Sequence, residues 1–186
     1  SRTDYYNEDC TKKLGESKIF KKKPTFANAL IQNIVGGNTI VFNNKAKKLI
    51  VNSLNELEYF EHDWWTYQII SASGGEIIFS SQKTLKYRQH SNNITGRNDR
   101  LNDKIKRLKK FCIGNLKSWN DINIANLKRN RKLIKKQNLE ILNHFIKARN
   151  SKNIITRIIY FYKSGVFRQS NFENLIFFIG VIFKRL

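Results

Sequence analysis

The chain has 186 residues, a 40% hydrophobic fraction and thirteen Phe, seven Tyr and three Trp. That is enough for one domain or one and a half, and too apolar for a disordered chain even at a net charge of +21. The charge is uneven: residues 98–186 hold 21 Lys and Arg against five acids, and residues 1–97 hold 14 against nine. The second half is therefore expected to meet something anionic, whether nucleic acid, a membrane leaflet or a phosphorylated substrate, although a Lys-, Asn- and Ile-rich bias of the kind low-GC coding produces accounts for part of the excess.

In chain order, residues 1–23 are polar and without period, which predicts a loop. Pro24 opens a short apolar stretch through Phe26, Ala27, Ala29, Leu30 and Ile31, predicting a helix that Gly36-Gly37 breaks. The β-branched run Asn38 to Asn43 predicts a strand ending in an Asn-Asn turn. Ala46, Leu49, Ile50, Leu54 and Leu57 recur at helical spacing, with Lys45, Lys47 and Lys48 on the solvated side. A third helix is expected from Glu61-His62-Asp63-Trp64-Trp65 to Gly74-Gly75, where it should stop. Glu76 to Phe79 and Thr84 to Gln89 suit an antiparallel hairpin. From Leu101 onward the pattern is helical, and Gly165 separates helices expected over about 153–163 and 171–185.

Cys10 and Cys112 lack paired spacing and a nearby His, so they read as reduced thiols in a cytosolic setting and not as a zinc site. The longest apolar run, Leu175 to Phe183, is about half of the roughly 20 residues that a spanning helix needs. A chain that starts at Ser1 and has no Met suggests a trimmed piece of a longer protein.

Two constellations carry chemistry. In Glu61-His62-Asp63-Trp64-Trp65, the plain structural reading makes Asp63 an N-cap with the indoles buried beneath. The functional reading makes Asp63 a carboxylate base on a rigid helix terminus, beside an aromatic wall for a sugar. In Tyr87-Arg88-Gln89-His90-Ser91-Asn92-Asn93, hydrogen-bonding groups gather at a strand end. Arg88 could hold a diphosphate and His90 a divalent metal, against the plain reading of a surface ion pair and a structural His.

The order Gly-Gly-Asn-Thr-Ile-Val-Phe-Asn, then His-Asp-Trp-Trp, then Tyr-Arg-Gln-His-Ser-Asn-Asn-Ile-Thr-Gly resembles the rhamnosyltransferase-like branch of family 2 glycosyltransferases. The resemblance covers about residues 25–97 and again Ser164 to Gln169. It implies a partial nucleotide-sugar transferase A-type α/β fold, with residues 1–97 as the acceptor-side half of the catalytic domain and residues 98–186 as a basic helical region. It further implies Asp63 as the catalytic base of an inverting transfer, and Gly36, Gly37, Asn38, His62, Trp64 and Trp65 at the acceptor. Arg88, Gln89 and His90 would face the diphosphate, with His90 as a candidate metal ligand. The complete enzyme would use Mg or Mn, a nucleotide-diphosphate donor such as dTDP-rhamnose, and a glycan or lipid-linked acceptor of the cell envelope. It would act in the cytoplasm, peripherally at the inner face of the membrane.

The nucleotide-binding half with its Asp-x-Asp motif is not in this sequence, where Asp4 and Asp9 are five apart and Asp99 and Asp103 four apart; alone, the chain is expected to be inactive. Two other classes fit the basic tail: a helical module that binds nucleic acid, the lesser reading, and a membrane-associated scaffold without catalysis.

Overall fold

A computed structural model describes residues 1–54, 61–90 and 115–185. It is a mixed α/β structure, mostly helical, with one small sheet. The elements are β1 (Arg2–Tyr6), β2 (Lys13–Glu16), α1 (Phe26–Ala29), a 3-10 turn (Gly37–Thr39), α2 (Asn44–Ser53), α3 (His62–Ala72), β3 (Lys83–Arg88), α4 (Asn115–Arg129), a second 3-10 turn (Arg131–Leu133), α5 (Lys136–Asn150), α6 (Ile154–Ser164) and α7 (Asn171–Ile182).

The helices start and stop where short polar side chains and glycines allow. Thr25 caps α1, Asn43 caps α2 by accepting from the Ala46 amide at 2.9 Å, Asn153 caps α6 and Ser170 caps α7. Gly74 (φ +81°) ends α3, and Gly165 (φ +59°) ends α6 in the left-handed region, both as expected.

The core unites both ends of the sequence. Phe26, Leu30 and Ile31 around α1 and Trp64, Trp65 and Ile69 of α3 pack in one cluster with Leu127, Leu142, Phe145, Val166, Phe177 and Val181. The expected boundary near residue 97 lies outside the described residues, and the core draws on both sides of it. Polar clamps reinforce this union. Asn138 of α5 donates to the Ser71 and Ala72 carbonyls at 3.0 and 2.8 Å, closing the end of α3. The Phe167-Arg168-Gln169 segment docks on α1: Asn28 donates to the Phe167 carbonyl at 2.8 Å, Arg168 donates to the Ile31 carbonyl at 2.7 Å, and the Gln169 amide donates to Gln32 at 2.7 Å.

Three expectations are corrected here. Residues 1–23 contain a hairpin, β1 with β2, whose turn is knotted by side chains: the Lys12 amide donates to Asn7 Oδ1 at 2.8 Å, the Thr11 amide donates to Asp9 Oδ1 at 3.0 Å, and Cys10 is at φ 60°. The run Asn38 to Asn43 is not a strand. Gly36 and Gly37 let the chain turn, the Thr39 hydroxyl donates to the Gly36 carbonyl at 3.1 Å, and Val41 is left 96% exposed. Finally, β3 does not pair with residues 76–79. It pairs in parallel with β1, giving the order β2-β1-β3, while Phe79 instead packs against Phe20, with ring centroids 5.2 Å apart. The helix expectations for Leu57 and for Leu101 to Gly114, including the basic run Lys104 to Phe111, lie outside the described residues, as does Cys112.

Candidate functional site

The N-terminus of α3 faces the turn at Gly36–Thr39, and the side chains between them form the candidate site. Glu61, not Asp63, has the N-cap backbone conformation, and its side chain makes no capping bond. Asp63 is therefore in the first turn, where a carboxylate is favoured by the free amides and the helix dipole. Its Oδ1 accepts from the Trp64 amide at 2.7 Å and from Asn33 Nδ2 at 3.1 Å, and its Oδ2 accepts from the Gly37 amide at 3.1 Å. Three donors among the described residues hold a half-buried carboxylate in place.

Asn33 is the member that sequence reasoning missed. Its Nδ2 also donates to Glu61 Oε2 at 3.2 Å, and its Oδ1 accepts from the Val35 amide at 3.0 Å, so it ties both carboxylates to the chain leading into the glycines. An isolated Asn after an apolar helix gives no motif to notice. The Glu61 carboxyl lies above the ordinary glutamate range, although the residue as a whole is exposed: local desolvation raises it most, the Asn33 hydrogen bond opposes, and the neighbouring Asp63 charge adds to the rise.

His62 is exposed and lies over Gly37, where an added Cβ would sit 2.6 Å from its Nε2. The missing side chain at Gly37 thus admits an imidazole in this structure, whereas the sequence suggested room for a sugar. Gly36 borders a cavity of about 250 Å³ lined also by Ser1, Pro24, Ile34, Thr39 and Ile77. Asn38 is exposed on the same turn.

Trp64 and Trp65 are corrected. They are 4% and 2% exposed, and their indole N–H groups donate to the Ala29 carbonyl at 2.7 Å and to Ser53 Oγ at 3.0 Å. Both rings are core, with no face open for a sugar, because successive positions after Asp63 turn inward onto α1 and α2.

The structure brings Gly37, His62 and Asp63 together and places Arg88, Gln89 and His90 elsewhere along the sheet. Thr39 Oγ1 lies 3.4 Å from the Ser1 carbonyl, at the start of β1, whereas the Gln89 amide donates to the Tyr6 carbonyl at 2.8 Å, at its end. Five strand steps between these points amount to about 16 Å. Arg88 is exposed and His90 half-buried there; Ser91, Asn92 and Asn93 lie outside the described residues. Among the described residues no three His, Cys, Asp or Glu side chains gather as a metal ion requires, so His90 lacks the companions of a divalent-cation site within them. No helix among them is long and apolar enough to cross a membrane. No protein-family model, no curated protein and no solved structure matches this chain.

Proposed function

We propose that the chain is the acceptor-side half of an inverting glycosyltransferase of the nucleotide-sugar transferase A type, with Asp63 as general base. The observation that carries this reading is the carboxylate of Asp63, held on a helix terminus by the Asn33, Gly37 and Trp64 donors and backed by a rigid indole core. Among the described residues Oδ2 accepts only the Gly37 amide, which leaves a lone pair for an acceptor hydroxyl. As that hydroxyl oxygen bonds to the anomeric carbon of a nucleotide-diphosphate sugar, the bond from that carbon to the diphosphate oxygen breaks and the hydroxyl proton passes to Asp63. His62 and Asn38 border the same edge and would orient the acceptor. The motif order from Gly36 to His90 supports the family reading. The diphosphate role that the resemblance implies for Arg88, Gln89 and His90 is not part of this proposal, because the leaving oxygen is bonded to the carbon under attack whereas these residues stand at the far end of β1 from the glycine turn.

The test joins this chain to a nucleotide-sugar-binding half and measures turnover of Asp63→Asn. Loss of the base should lower turnover by roughly 10²–10⁴-fold. The substitution also has a structural consequence, because an amide at position 63 turns an NH₂ toward one of three donors; an unmade bond at a partly buried site costs about 1 kcal/mol. Turnover is therefore read well below the unfolding temperature of the variant. Unchanged turnover with a lowered Tm would leave Asp63 as a clamp between α3 and the glycine turn and end the catalytic reading.

A further inference from the structure

The antiparallel pair α6 and α7 carries a second feature, independent of the catalytic reading. Of fourteen large apolar side chains exposed among the described residues, eight lie between Ile154 and Phe183. They are not scattered. On α6, Ile155, Ile159 and Tyr162 fall within roughly 60° of arc at 100° per residue, and on α7 the row Leu175, Ile179 and Phe183 is similarly narrow. Their exposures run from 44% at Ile179 to 69% at Phe183.

The opposite sides of both helices are already used. Phe161 packs on Phe177 with centroids 6.1 Å apart, and Arg157 donates to the Val181 carbonyl at 3.2 Å. Tyr162 lies 5.8 Å from the half-buried Phe178, so the α6 row reaches the flank of α7. Lone exposed apolar residues need no explanation, but two such rows on adjoining helices mark an interaction surface.

The rim of the face identifies what covers it. Residues 151–185 contain six basic side chains and one acid, and that acid, Glu173, is paired with Arg168 at 3.1 Å. Lys152 precedes α6, Lys163 ends it, and Lys184 and Arg185 follow α7, all exposed. A second copy would bring the same positive rim against itself. Nucleic acid would want charge at the centre, where this face is aliphatic. An apolar centre with a cationic border fits a lipid surface whose headgroups are negative. We propose that α6 and α7 seat the protein on an anionic membrane surface, lying in the plane of the interface without crossing it.

Co-sedimentation of the chain with vesicles tests this. At low salt, vesicles containing roughly a third phosphatidylglycerol should bind it at least about tenfold more tightly than pure phosphatidylcholine. Ile159→Ser combined with Ile179→Ser changes only exposed positions, so thermal unfolding should stay put while binding falls at least about tenfold. Lys152→Glu combined with Lys184→Glu should abolish the preference for anionic vesicles. Equal partition to the two vesicle types overturns the proposal, as does full binding by the isoleucine double variant. So does a dimer in lipid-free sedimentation that vesicles fail to dissociate, since the face would then belong to a second copy.

Discussion

The helical body and the three-stranded sheet are held together by different physics. The body buries Trp64, Trp65, Leu127, Phe145 and Phe177 almost completely, with carbonyls closed by Asn28 and Asn138. The sheet has little to bury: every residue of β3 is exposed or half-exposed, and β1 is tied to its neighbours by charges. Lys83 of β3 reaches Glu16 of β2 at 2.7 Å and Asp4 of β1 at 3.5 Å, Lys13 reaches Asp4 at 2.8 Å, and Arg2 reaches Glu16 at 2.6 Å. Apolar burial scales with area and is indifferent to pH, whereas exposed ion pairs are weak and titrate. The candidate site hangs from the body, since Asp63 and Asn33 are positioned by α3 and the chain after α1, so its geometry should survive conditions that loosen the sheet.

The largest effect should come from removing Trp65. Its ring fills the contact between α3 and α2, and its indole N–H meets Ser53 Oγ at 3.0 Å. Trp65→Ala leaves both a cavity and an unmade bond, and the loss should be about 3–5 kcal/mol in urea unfolding. Because one core joins residues from both ends of the chain, all helices should melt together. Separate transitions for α3 and for α5 to α7 would break the account of a single body.

That body was legible in the sequence wherever a local signal sufficed. Gly74, Gly165 and Pro24 announced helix ends, spacings of three and four marked α2 and the helical pattern around Gly165 marked α6 and α7, whereas Asn43, read as the end of a strand, caps α2. The indoles were legible as core, yet the pull of a sugar-binding reading set them at the acceptor; nothing in the sequence tells whether Trp64 faces in or out. The sheet was not legible, because β1 and β2 lack apolar alternation and their cross-strand logic is Arg2, Asp4, Lys13 and Glu16, which reads as loop. Missing β1 then misassigned β3, whose partner lies about 80 residues earlier in parallel, a distance at which no turn signal exists. Asp63 was singled out by motif, whereas its hydrogen bonds with Asn33 and Gly37 are a tertiary fact.

Acid should separate the two regions. Hydrogen bonds from Lys83 and then Arg2 pull the Glu16 carboxyl down to about 2, and Lys13 lowers that of Asp4. A carboxyl whose folded pKa lies below its unfolded value contributes stability that is present above the unfolded value, 4.5 for Glu and 3.8 for Asp, and lost as pH falls through the folded one. Glu61 runs the other way: its raised folded pKa means that its contribution is full below 4.5 and fades as pH rises through the folded value. Between about pH 5 and pH 2, amide exchange in β1, β2 and β3 should therefore accelerate well before that in α5. Simultaneous loss of protection in strands and helices would show that the sheet is coupled to the core more tightly than its contacts suggest.

The smallest effect isolates a single cation. Lys83 contacts two carboxylates from two strands, so Lys83→Ala removes one of the two cations that bridge Asp4 and Glu16 while leaving Arg2 on Glu16 and Lys13 on both acids. Both acids then lose only part of their support. An NMR titration should find Glu16 moved up from about 2 toward 4.5, because the Lys83 hydrogen bond is the leading cause of its depression, while Asp4 moves less, since Lys13 leads there and Lys83 is secondary. Overall stability should change little, as solvent screens exposed pairs and the released side chain regains rotamer freedom. The unequal response of the two carboxyls is what a charge-held sheet requires. If instead Asp4 moved more than Glu16, the cation would be working mainly between β1 and β3, and the hairpin of β1 with β2 would owe its place to its turn, its backbone ladder and the Arg2 and Lys13 pairs.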